Sequence, residues 1–222
     1  MAFAFIADSG GQSADTNTVT SGTINSTGAT VLFALVAVVA GSSAGIGVAD
    51  SNSNSGWTLD FNETNGSNRQ IMIFRCNSPA SVGAGHTAHT TGTTGLFPSI
   101  DFYAFSGAIA TSPLDQTSGA AAASTTSVAP GTVTPTVANE LVLTAVVCAG
   151  TPSIGGGGST TNGALLASTG NAVGLGTAWI IQTSATAFGP TWSATTSSNI
   201  AALTATYKLV STSAGNMFLA MN

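Results

Sequence analysis

Apolar positions along this chain recur in short runs, not at helical spacing. β-Branched and aromatic residues cluster over four to twelve positions, and groups of Gly, Ser, Asn and Pro separate the clusters. Runs of this kind, bounded by turn formers, read as strands. They predict strands at 3–7, 18–24, 30–40, 45–49, 57–62, 70–76, 86–91, 99–106, 132–137, 140–149, 165–169, 173–183, 191–194, 199–210 and 217–221. Residues 30–40, TVLFALVAVVA, form the longest apolar run, and its continuity is the pattern of a strand covered on both faces. Residues 70–76 and 99–106 alternate only loosely, as strands of a sandwich do. Residues 119–126, GAAAASTT, are the one helix-tolerant patch, too short to stand alone.

The expected fold is therefore all-β: an antiparallel β-sandwich of jelly-roll type, one domain over residues 1–222. A weak internal echo points to two related halves, at about 18–107 and 130–210. Ala37-Val38-Val39 is matched by Ala145-Val146-Val147, and Ile71-Met72-Ile73 by Trp179-Ile180-Ile181, both at a spacing of 108 (145 − 37 and 179 − 71). Phe102-Tyr103 falls on Thr206-Tyr207 at a spacing of 104 (207 − 103). No polar linker parts the halves, so they are expected to pack as one body.

Charge changes the picture most. The chain has three basic and eight acidic residues, 5% of its length, against about a quarter in ordinary soluble domains. It is 43% hydrophobic with a mean hydropathy of +0.38, which a disordered chain would not be. Its surface must be solvated by Ser, Thr, Asn and backbone amides. So neutral a surface repels its neighbours weakly, which suits a subunit buried in an assembly or a face that meets uncharged matter such as sugar. Three basic residues cannot neutralise a run of phosphates, so nucleic acid is an unsuitable partner. No run reaches the ~18 apolar residues of a bilayer-spanning helix. The start, MAFAFIADSGG, lacks a basic region and a long apolar core, so a secretory leader is not expected, and release by lysis or another route is.

No candidate assembles a catalytic or metal centre. Gly41-Ser42-Ser43-Ala44-Gly45 fits G-x-S-x-G after a predicted strand, but no helix follows it, so it reads as a turn. His86 and His89, three apart on a predicted strand, face opposite sides and read as polar loop or surface residues. Asp50, Asn52 and Asn54 alternate like the opening of a calcium loop. Yet Gly56 comes one place late, and Phe61 stands where a bidentate Glu belongs. The other reading is a tight turn presenting Trp57 to the core. Gly155–Gly158 has no Lys after it and reads as a flexible tip. Trp57, Trp179, Trp192, Tyr103 and Tyr207 form either a sugar-stacking platform or core. Asp101 and Glu140 are the only acids embedded in strong strand patterns, and nothing in the sequence pairs them. Cys76 and Cys148 could form one disulfide, though Cys148 in LVLTAVVCAG reads as a small buried hydrophobe.

Four segments carry a resemblance: VADSNSNSGWTLDF, RQIMIFRCN, PSIDFYAFSGAIATSPLDQTSG and TPTVANELVLTAVV, in that order. Together they resemble β-sandwich modules of phage structural proteins and bacterial surface proteins. In those modules an Asp-turn-Trp hairpin, an F-x-G strand end before a Ser/Gly-rich loop and an ANELV strand opening recur. The likeness runs from Thr30 to Val147, more loosely beyond, and transfers no functional residue. It implies assembly or adhesion without catalysis. The expected protein is a virion structural subunit, a capsid decoration or a head or tail appendage. Its partners would be copies of itself, as a homo-oligomer, and other virion proteins. The alternative is a secreted or cell-surface module that binds polysaccharide. No cofactor, membrane or nucleic acid is expected.

Overall fold

The computed structural model describes residues 3–14, 17–39, 45–66, 69–107, 109–156 and 160–209. The motif at 41–44, Gly157–Gly158 and the strand expected at 217–221 lie outside these. Among the described residues there is no helix, and no helix is long and apolar enough to cross a membrane. The chain is all-β, with antiparallel strands in two main sheets packed as a sandwich.

In chain order the strands are β1 (Ala4–Asp8), β2 (Gln12–Ser13), β3 (Val31–Val38), β4 (Gly47–Asp50), β5 (Trp57–Asn65), β6 (Arg69–Asn77), β7 (Ala88–Thr91) and β8 (Ser99–Ser106). The second half adds β9 (Ile109–Val128), β10 (Glu140–Cys148), β11 (Pro152–Gly156), β12 (Thr161–Leu166), β13 (Gly174–Gln182) and β14 (Pro190–Leu209). The first sheet runs β1-β8-β3-β6-β5, with β2 also beside β8. The second runs β9-β14-β10-β13-β12, with β11 also beside β14. Each sheet thus takes its strands from one half of the chain and visits them in the same sequence. Tyr103 lies opposite Phe33 on the β8–β3 ladder, and Tyr207 opposite Leu141 on the equivalent β14–β10 ladder.

The inner faces make the main core. Val31, Phe33, Leu35, Ile71, Ile73 and Phe105 from the first sheet meet Leu141, Leu143, Val147, Leu175 and Leu203 from the second. The opposite face of the first sheet is covered too. Leu32, Ala34, Val36, Met72 and Phe102 pack under Val19, Ile24, Ile46, Val48 and Ala88, from the β4–β7 pair and the segment before β3. This third layer is why the whole of β3 is buried and its sequence does not alternate. On the outer face of the second sheet Trp192 covers Val146, Cys148 and Ala178. Gly176 makes room for it, because a Cβ there would stand 2.6 Å from the indole. The indole Nε1 donates to Thr144 Oγ1 at 3.0 Å, so a wholly buried Trp keeps its polar atom partnered.

Several expectations shift. The strands expected at 18–24 and 132–137 reduce to isolated bridges, Thr20↔His89, Ile24↔His86 and Val133↔Phe188. Those at 191–194 and 199–210 fuse into the 20-residue β14. The patch at 119–126 is strand within β9: paired to β14 along its length, its backbone takes the ladder that small residues neither demand nor resist.

Candidate functional site

Every charged residue that the structure describes is buried or half-buried, and none is exposed; Asp15 lies outside the described residues. A buried charge must be paired or hydrogen-bonded, and these are gathered into internal clusters. Arg75 clasps Asp60 in two bonds, Nε to Oδ2 at 2.7 Å and Nη2 to Oδ1 at 2.9 Å. Arg69 donates from Nη1 to the carbonyl of Asn199 at 2.8 Å, tying the β5–β6 hairpin to β14. What remains outside is Ser, Thr, Asn, Gly and Ala, with Phe5, Val137 and Leu165 the exposed large hydrophobics. The surface is therefore poor in charge, although Lys208 keeps 32% of its side chain exposed.

Asp50 is a structural hub. Its Oδ1 accepts from the backbone N–H of Asn52 at 3.0 Å and of Asn54 at 3.1 Å, and from Asn54 Nδ2 at 3.3 Å. Its Oδ2 accepts Trp57 Nε1 at 2.9 Å. Asn54 Oδ1 in turn accepts Ser81 N at 2.8 Å. These oxygens face N–H donors, which is the geometry of a turn holding Trp57 and not of a cation shell. His86 is no surface residue: it is wholly buried, with Nδ1 2.7 Å from Ser26 Oγ and Nε2 3.4 Å from Asp50 Oδ1. Ser26, His86 and Asp50 thus line up like a hydrolytic triad. However, Ser26 is also wholly buried, and its hydroxyl is held by the backbone of Gly83. A hydroxyl with no exposed face has no substrate to attack, so the row is a strut between three segments.

The aromatic residues serve packing. Trp192, Tyr103 and Tyr207 are wholly buried. Trp57 is half-buried and pinned to Asp50, and Trp179 lies under Phe5, ring centroids 4.9 Å apart and nearly parallel. Cys76 and Cys148 are free and buried, and burial pushes each thiol up to about 11.

Asp101 and Glu140 fall in separate clusters, and each has another carboxyl near it. Asp101 Oδ2 accepts Thr177 Oγ1 at 2.7 Å and Ala164 N at 3.0 Å, and its Oδ1 accepts Ser9 Oγ at 3.0 Å. Burial, then the charge of Asp101, raises the carboxyl of Asp8 above its usual range. Burial followed by Asp101 likewise raises the Tyr103 phenol, whose oxygen is 2.7 Å from Thr177 Oγ1.

The second cluster lies on three neighbouring strands of the second sheet. Leu141 pairs with Tyr207, and Tyr207 with Leu114, so their neighbours Glu140, Lys208 and Asp115 share the outer face, Glu140 next to Lys208 and Asp115 diagonal to it beside a register shift. Lys208 Nζ stands 2.7 Å from Asp115 Oδ1. Thr136 donates its hydroxyl to the same oxygen at 2.9 Å and its backbone N–H to Oδ2 at 2.8 Å. Glu140 is wholly buried; its Oε1 accepts Val137 N at 3.0 Å, and its Oε2 has no donor. Burial raises the Glu140 carboxyl, while the Lys208 and Thr136 donors hold Asp115 below its usual range against the opposing effect of burial. The two carboxyls are therefore shifted in opposite directions, Glu140 toward keeping a proton and Asp115 toward losing it. Sequence reasoning missed this site because its members are far apart in the chain; the lone Lys among so few charges was the available signal.

A hollow of about 410 Å³ beside the end of β13 is lined by Ile180, Ile181, Gln182, Thr183, Ser184, Thr186 and Ala187. Gln182 Oε1 is buried there without a partner. No protein-family model matches this sequence, and a search of curated proteins returns no match.

Proposed function

We propose that this chain is a non-enzymatic contact module of a virion, a capsid decoration or a head or tail appendage subunit. It joins copies of itself and other virion structural proteins through its neutral surface. The observation that carries this reading is the withdrawal of every described charge from the exposed surface. The cores of protein interfaces are depleted of charged residues, and a free surface without charge has little to hold its copies apart. The sheet edge agrees with it. Edge strands of free proteins are blunted by Lys and other charges, whereas β9, 20 residues long, carries a single charged residue, Asp115, which Lys208 pairs and whose side chain is 3% exposed.

The test is native mass measurement with imaging of the purified chain. A ring, trimer or lattice is expected; a stable monomer that binds polysaccharide defeats the proposal. The second reading, a secreted or cell-surface carbohydrate-binding or adhesin module, draws on the hollow beside β13. The hydroxyls of Thr183, Ser184 and Thr186 and the Gln182 side chain line it and suit a neutral polyol. Glycan-array binding that Gln182→Ala abolishes would favour it.

A further inference from the structure

We propose that Lys208 and Asp115 become joined by an amide bond that the protein forms itself, with Glu140 relaying the protons. The geometry is that of an acyl transfer poised within one chain. The amine nitrogen is in van der Waals reach of the Asp115 carboxyl carbon, since it already contacts Oδ1 at 2.7 Å. Lys208 is the one lysine in the 222 residues, and it is placed against this carboxyl. The acceptor is held on both oxygens, by the Thr136 hydroxyl and the Thr136 backbone N–H. One of the two stabilises the oxygen that stays and turns negative in a tetrahedral intermediate, while the other orients the oxygen that departs. Glu140 is pinned through Oε1 by the Val137 N–H, and its carboxyl interacts with that of Asp115, which lets it pass a proton to or from Asp115.

The step balances without any co-reactant. A proton passes from the Lys208 ammonium through the Glu140 and Asp115 carboxyl groups, leaving a neutral amine beside a protonated Asp115. The nitrogen lone pair attacks Cγ and the N–C bond forms. The C–O bond then breaks, and the oxygen leaves as water with both protons that the nitrogen has lost. Glu140 ends in the protonation state in which it began. Amide formation is uphill between free groups in water. Groups already held in contact do not lose the freedom that meeting costs, an advantage expressed by effective molarities of about 10⁵–10⁸ M, and this offsets part of that cost. Asp115 keeps 3% of its side-chain surface exposed and Lys208 32%, so bulk water is kept from the carboxyl while the released molecule has a way out past the amine. The bond would tie the end of β14 to β9 and close a loop of 93 residues (208 − 115). In a module that bears load or meets proteases, that link would hold the sandwich shut at its C-terminal strand.

The test is the intact mass of the full-length chain after denaturation, a readout independent of whether it assembles. The wild-type chain is expected to be lighter than its sequence by one water. Chymotryptic mapping should place the loss in a branched peptide joining Lys208 to Asp115. Lys208→Arg, which keeps the cation, and Glu140→Gln, which keeps the shape, should both show full mass while their far-UV dichroism stays that of a β-sandwich. A wild-type chain of full mass overturns the proposal and leaves an ordinary ion pair. So does a lost water that maps to any other pair of residues, or one that persists in Lys208→Arg.

Discussion

The indole of Trp57 donates to the carboxylate of Asp50 at 2.9 Å, seven residues back along the chain, and Asp50 spends its other oxygen on the turn between them. One carboxylate therefore fixes the turn and the ring, and the buried His86 Nε2 stands 3.4 Å from it. Asp50→Ala would leave several buried donors without an acceptor, at a cost of about 3–5 kcal/mol. Trp57→Phe keeps most of the packing and removes one donor, costing about 1–2 kcal/mol. Urea unfolding of both variants checks the ranking, and equal losses would show that the carboxylate is not the hub. Adding calcium should leave the wild-type midpoint unchanged.

The Arg75–Asp60 clasp is an ion pair with 11% and 4% of its side chains exposed. Removing one partner strands the other, so Arg75→Met alone should cost about 3–5 kcal/mol. The double change Arg75→Met with Asp60→Leu replaces the pair by apolar volume and should recover much of that loss. A double-mutant cycle by chemical denaturation measures the coupling. Additive losses would mean that the two residues act separately.

Much of the fold was legible, and the reasons differ by strand. Residues 99–106 carry a dense β-branched and aromatic run and form β8 with the expected ends, because burial on both faces leaves no other use for such a run. By contrast β9 was invisible. Its Gly, Ala, Ser and Thr have little side chain to bury, and only pairing with β14 makes the segment a strand. The Asp50–Trp57 turn was readable because its partners are close in sequence. Asp115, Glu140 and Lys208 were not, because only the register of three strands brings them together. His86 misled for a similar reason: GHTAHTTG looks like a polar loop until Ser26 and Asp50 arrive from elsewhere in the chain.

Cys76 and Cys148 lie on different sheets, both buried, each thiol pushed up to about 11 by burial. The thiolate is the reactive form, so at neutral pH neither residue is poised to react. Labelling of the native chain by a small thiol reagent should be slow and should accelerate in step with unfolding as urea is added. Prompt labelling of either cysteine in the folded chain would contradict this burial.

Asp8 gives the pH dependence a definite sign. Its carboxyl is raised above the ordinary 3.8 by burial first and by the charge of Asp101 second, while the Gly10 N–H opposes the shift. The folded chain therefore binds this proton more tightly than the unfolded chain does. Stability falls as pH rises from 3.8 through the folded-state value, and the loss is complete above it. Asp8→Asn removes that charge and keeps an oxygen to accept the Gly10 N–H. It should raise the thermal midpoint at about pH 7 and leave it nearly unchanged at about pH 3, where Asp8 is protonated in both states. Asp101→Asn is the contrasting case, because its carboxylate accepts three hydrogen bonds. That substitution should lower the midpoint at about pH 7. Thermal melts of the two variants at both pH values decide the matter, and an Asp8→Asn chain less stable than wild type at neutral pH would refute the assignment.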